Sequence, residues 1–92
     1  MLADKIRCAH ILVEKQSQAL AVLERLKKGE DFAKITLEVS QCPSRKRGGD
    51  LGWFGHGTMV REFEVAAFAL QKGQISEPVK SEFGYHIIKR LD

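Results

Sequence analysis

The apolar positions along the chain fall into two kinds of spacing. In Ile6-Arg7-Cys8-Ala9-His10-Ile11-Leu12-Val13, the even positions Ile6, Cys8, His10 and Leu12 share one side of an extended chain. Ala9, Ile11 and Val13 share the other. Both sides are largely apolar, which predicts an inner strand covered on both faces. Tyr85-His86-Ile87-Ile88-Lys89-Arg90-Leu91 reads as a second inner strand, so the first and last strands are expected to pair at the centre of a sheet.

Helical spacing occupies the interval between them. Over 17–28, Ala19, Leu20, Leu23 and Leu26 form one apolar stripe, with Lys27 and Lys28 at the negative end and Gly29 beyond. Asp31 is a candidate cap for a helix reaching Val39, with Phe32, Ile35 and Val39 inward. A third helix is predicted over 60–70, with Phe63, Ala66, Ala67 and Leu70 on one side. Residues 48–55 read as turn, short strand and turn. Residues 75–80, which include Pro78, suit an edge strand. The order β-α-α-β-α-β-β offers few parallel crossovers, so a mainly antiparallel α+β fold is expected.

Length and composition narrow the class. Ninety-two residues are one domain, 1–92. Hydrophobic residues at 43% and charged residues at 29% exclude a disordered or fibrous chain. No apolar run approaches the roughly 20 residues of a membrane span, and the first residues lack a signal-peptide core, so a cytoplasmic protein is expected. A net charge of +3 permits weak binding of anionic surfaces and does not call for a specific nucleic acid.

Two cysteines cannot build a disulfide scaffold. With the histidines they can build one small site. His10 and His86 lie on the two inner strands and can satisfy each other, one ring donating and the other accepting. Cys42 precedes Pro43 and a basic stretch, Ser44-Arg45-Lys46-Arg47, which favours thiolate; the plainer reading is a small buried hydrophobe. The third histidine, His56, sits in a glycine turn and reads as surface. Trp53 reads equally as a groove residue or a core anchor. A thiol switch between Cys8 and Cys42 requires the two to be close.

Three readings of these side chains compete. A zinc site has the right ligand types without C-x-x-C or H-x₃₋₅-H spacing, so no metal is expected. A Cys–His nucleophile lacks a visible orienting group. The third places cysteine and histidine at the rim of an apolar pocket formed by Leu51, Met59, Phe63 and Phe83.

Five ordered blocks then resemble the parvulin-type peptidyl-prolyl cis/trans isomerases. They are Cys8-Ala9-His10-Ile11-Leu12-Val13, Ser40-Gln41-Cys42-Pro43-Ser44, Arg47-Gly48-Gly49-Asp50-Leu51-Gly52-Trp53-Phe54, Gly57-Thr58-Met59-Val60-Arg61-Glu62-Phe63-Glu64 and Ser81-Glu82-Phe83-Gly84-Tyr85-His86-Ile87-Ile88. The resemblance covers nearly the whole chain. It implies a four-stranded antiparallel sheet with about four helices, a parvulin-like and FKBP-like arrangement. It also implies isomerisation of X–Pro bonds in proline-containing polypeptides, without a cofactor, by a monomer that assists folding.

Residue by residue, the resemblance assigns His10, Cys42, Ser81 and His86 to the catalytic group. It assigns Leu51, Met59 and Phe63 to the proline pocket, with Phe83 at its margin. Relatives that require phosphorylated substrates carry a long basic loop after the first strand. Here that stretch is Glu14-Lys15-Gln16, so phosphate-directed recognition is not expected. The rival from another class is a non-catalytic, chaperone-type module that holds proline-containing segments in the same groove.

Overall fold

The computed structural model describes residues 4–92. Strand β1 (Lys5–Val13) is followed by helices α1 (Gln16–Lys27) and α2 (Phe32–Val39) and a 3-10 turn (Pro43–Arg47). Strand β2 (Asp50–Gly55), helix α3 (Arg61–Ala69), strand β3 (Val79–Ser81) and strand β4 (Gly84–Arg90) complete the chain. The sheet order is β2-β1-β4-β3, antiparallel throughout, with the first and last strands at its centre. Among the described residues the helical complement is three α-helices plus the 3-10 turn, against an expectation of about four helices.

The two-sided apolar pattern of β1 has a direct cause. Ala9, Ile11 and Val13 face a core shared with Ala19, Val22 and Leu23 of α1, Phe32 and Ile35 of α2, and Ile87 of β4. Ile6 and Cys8 face a second core with Phe54, Ile88, and Phe63, Ala67 and Leu70 of the α3 segment. Two helices therefore cover one face of the sheet and α3 covers the other. Only the α3 face carries His10 and His86.

Local chemistry sets the element ends. The Asp31 carboxylate accepts the Lys34 N–H at 3.1 Å and caps α2. The Arg90 guanidinium donates to the Leu70 carbonyl at 2.7 Å, satisfying a backbone acceptor just past α3. The pairing of β1 with β2 slips between Arg7 and Ala9, where Arg7 faces Trp53 and Ala9 faces Asp50. That bulge re-aims the bulged strand, so Leu51 and Phe54 both meet the α3 face although three positions apart.

Several expectations need correction. Leu20 is 52% exposed; Val22 takes its place beside Ala19 and Leu23, because the α1 stripe is rotated about one position from the expected one. Trp53 is 57% exposed and is no core anchor; Phe54 points inward, so its neighbour on the strand points out. The expected strand over 75–80 is split. Ile75 forms one bridge to Lys89 and β3 begins at Val79, because Pro78 has no N–H to offer between them. Helix α3 starts at Arg61, with Val60 as its N-cap and Met59 ahead of it.

Candidate active site

Strand register brings the two imidazoles together. His10 pairs with Ile88 and Leu12 pairs with His86, so His10 and His86 are diagonal neighbours on one face. Their Nδ1 atoms lie 2.9 Å apart, which requires one ring to donate and the other to accept. The His86 Nε2 lies 2.7 Å from the Ser81 hydroxyl, which also accepts the Phe83 N–H at 3.1 Å. The rings stack with centroids 5.1 Å apart, and Phe63 meets both edge to face, at 5.5 Å from His10 and 5.3 Å from His86.

Burial decides their protonation. His10 is 5% exposed and His86 4%. Desolvation, then the neighbouring His86, pushes His10 down to about 4. Desolvation also lowers His86, opposed by the Glu62 carboxylate. A charged His10 would carry an N–H at Nε2, a buried atom with no hydrogen-bond partner among the described residues. The pair is therefore neutral near pH 7.

Cys42 is held from two sides. Ser40 is almost fully buried, and its hydroxyl accepts N–H bonds from Leu12 at 3.0 Å and from Cys42 at 3.4 Å. Gln41 N–H donates to the Leu12 carbonyl at 2.8 Å, and the Ser44 hydroxyl donates to the Cys42 sulfur at 3.1 Å. This stretch is thereby docked on β1 beside His10. Arg45, Lys46 and Arg47 are exposed, as a solvated basic stretch would be.

The side chains meet in one cavity of 430 Å³ beneath α3. His10, Cys42, Leu51, Met59, Phe63, Phe83 and His86 line it. Ser81 lies behind it, bonded to His86. Phe83 is 60% exposed and forms the rim, whereas Phe63 is buried and belongs to core and pocket at once. The remaining walls are Leu12, Gln41, Pro43, Thr58 and Val60, which the sequence reading did not select. Leu12 had a visible signal, since it lies two residues from His10 on one strand face.

Cys8 belongs elsewhere. It is packed in the α3-side core, and burial raises its thiol to about 11. Both cysteines are free thiols. Among the described residues, no three His, Cys, Asp or Glu side chains are placed to hold a metal ion. A second groove of 520 Å³, between α1 and the 74–79 segment, contains neither imidazole nor thiol.

A buried imidazole pair, a thiol and an apolar cavity on this sheet define a class. The rotamase family described as the PPIC-type PPIase domain matches residues 10–92, and the chain belongs to that family, the parvulins. Among its relatives, a foldase protein PrsA of Geobacillus kaustophilus is 56% identical over 89 residues, 96% of this chain and 32% of that protein. The chain thus spans about a third of that curated relative. The solution structure of NmPin, the parvulin of Nitrosopumilus maritimus, is 57% identical with a TM-score of 0.88 and full coverage of both chains. Pin from the psychrophilic archaeon Cenarchaeum symbiosum is 63% identical with a TM-score of 0.85, covering 100% of this chain and 96% of that one.

Proposed function

We propose that this domain catalyses cis/trans isomerisation of X–Pro bonds in polypeptides and so assists their folding. The observation that carries this reading is the neutral His10–His86–Ser81 chain lying against an apolar cavity with Cys42 in its wall. Membership of the isomerase family and the likeness to a foldase support it.

The chemistry follows from the amide. Its double-bond character sets a barrier near 18–20 kcal/mol, and uncatalysed X–Pro rotation takes tens to hundreds of seconds. Halfway through rotation the amide has lost resonance and much of its charge separation. A wall of Leu51, Met59 and Phe63 that grips the proline ring favours that less polar state over the planar one. Neutral imidazoles keep the wall free of charge that would favour the planar dipole. A thousandfold acceleration needs roughly 4 kcal/mol of such selectivity.

Cys42 acts here without a covalent bond, by polarising the surroundings of the rotating carbonyl. The link from Val13 to Gln16 is only Glu14 and Lys15, too short for a phosphate-gripping loop, so the reading includes no phosphate requirement. The test is an isomerase assay over a panel of X–Pro peptides, phosphorylated members included. Turnover of unphosphorylated peptides is expected. Peptide binding without turnover would instead identify a holding module. Cys42→Asp is expected to keep most turnover, and a mass-detected adduct on Cys42 would refute the non-covalent role.

A further inference from the structure

The turn between β2 and α3 delivers Thr58, Met59 and Val60 to the cavity wall. Little of its own backbone holds it. Residues 56–58 form a turn, yet among the described residues no backbone hydrogen bond of good geometry outside helices and strands involves residues 56–59. The polar ties run instead to one side chain of α3. Glu64 Oε1 accepts the Gly57 N–H at 2.7 Å, and Glu64 Oε2 lies 3.1 Å from His56 Nδ1. The His56 ring also stacks on Phe68, with centroids 4.1 Å apart. Phe68 is one helical turn beyond Glu64 and meets Phe54 edge to face at 6.1 Å. One carboxylate and one ring therefore fasten the turn to the same helix that presents Phe63.

We propose that Glu64 is a positioning residue of the proline pocket, holding Gly57 and His56 so that Thr58 and Met59 stand at a fixed distance from Phe63. The proposal rests on the isomerase reading given above. It assigns work to His56, which the sequence marks as mere surface. The Glu64 carboxyl is held below the usual carboxylate range, first by the Gly57 N–H and then by His56, as expected of a carboxylate engaged in those bonds.

A competing account gives Glu64 only its charge. It lies in the first turn of α3, where any carboxylate favours the helix dipole. Glutamine separates the two, because its amide oxygen still accepts the Gly57 N–H while the charge is gone. A lost dipole partner lowers stability; a lost turn lowers the affinity for proline.

The experiment compares the full chain with Glu64→Ala, Glu64→Gln and His56→Ala. It measures kcat and KM on one X–Pro peptide, together with hydrogen exchange of the Gly57 amide. Glu64→Ala is expected to raise KM about five- to tenfold, the size of one partly exposed charge-assisted hydrogen bond, with kcat within about twofold. Its Gly57 amide should exchange faster. Glu64→Gln should restore most of the lost affinity and of the Gly57 protection. His56→Ala, which removes only the ring, should raise KM by about twofold. Equal KM loss in the glutamine and alanine variants would overturn the proposal, because the acceptor for the Gly57 N–H, which glutamine keeps, would then not set the affinity. So would an unchanged KM in Glu64→Ala and His56→Ala while Gly57 exchanges faster. Should Glu64→Ala fail to fold, Glu64→Gln and His56→Ala still decide, and normal Gly57 protection with a raised KM in both would refute the clamp. Absence of X–Pro turnover in the unaltered chain would sink the isomerase reading instead, leaving Gly57 exchange to report on the clamp itself.

Discussion

Gly49 and Gly52 share a backbone conformation and differ in their surroundings, which makes them a controlled pair. Both have left-handed φ, +85° and +75°. Alanine at either position costs about 1–2 kcal/mol for that conformation alone. A Cβ at Gly52 meets nothing within 4 Å. At Gly49 it would overlap the His10 carbonyl oxygen, with Thr36 Cγ2 at 3.0 Å and His10 N at 3.2 Å. Relief requires the Gly49 segment to move off β1, which strains the bond from His10 N–H to the Gly49 carbonyl, 3.0 Å long. Overpacking adds about 1–3 kcal/mol and the weakened hydrogen bond about 1 more.

Gly49→Ala is therefore expected to cost about 3–6 kcal/mol and Gly52→Ala about 1–2. A domain of 92 residues has about 5–14 kcal/mol in total, so the first variant stands near the edge of folding. Urea unfolding measures both, with the midpoint shifting and the slope constant. The folded fraction of Gly49→Ala should also lose turnover, because the displaced backbone is that of His10. Equal costs within about 0.5 kcal/mol would refute the reasoning, since strain alone would then account for both.

Three further expectations concern the site. The lowered His10 and His86 values give a definite sign: the unfolded chain binds more protons below its ordinary histidine pKa, so the stabilisation is complete above about 6.5. It is lost as pH falls towards about 4, with His10 contributing roughly 3 kcal/mol. Urea midpoints measured from pH 7 to 4.5 should fall accordingly, and a flat profile would contradict neutral burial. Ser81→Ala removes the partner of His86 Nε2, and a loss of about 1–2 kcal/mol with altered imidazole nitrogen shifts is expected. Unchanged shifts would disconnect Ser81 from the pair. Met59→Ala should raise KM several-fold while the protein stays folded, because Met59 is only partly buried; an unfolded variant would mean that it serves chiefly as core.

The gathering of these side chains at one cavity was largely legible in the residues because they sit inside compact blocks around turns and strand centres. The inner placement of both histidines followed from apolar neighbours on either side of each strand. Other features depend on partners far along the chain. Nothing near Leu20 tells a stripe containing it from one containing Val22; the choice is made by where Phe32 and Ile35 of α2 arrive. Leu51 reaches the pocket through a bulge, and strict alternation would set it opposite Phe54. Ser40 looks like an ordinary helix terminator until its hydroxyl is seen bridging Leu12 and Cys42. His56 is exposed, as its glycine turn suggests, but its tie to Glu64, eight positions later, has no local signal.

The central position of β1 and β4 has a consequence in time. His10 and His86 are separated by 76 positions, so their contact closes a loop spanning most of the domain. A ribosome releases β1 long before β4 exists. Until then the strand carrying His10 has only β2 beside it, with one edge open to other chains. Folding of this domain is thus paced by a late, long-range closure of the kind that makes topologies slow. A domain proposed to shorten the waiting of other chains is itself bound to wait for β4.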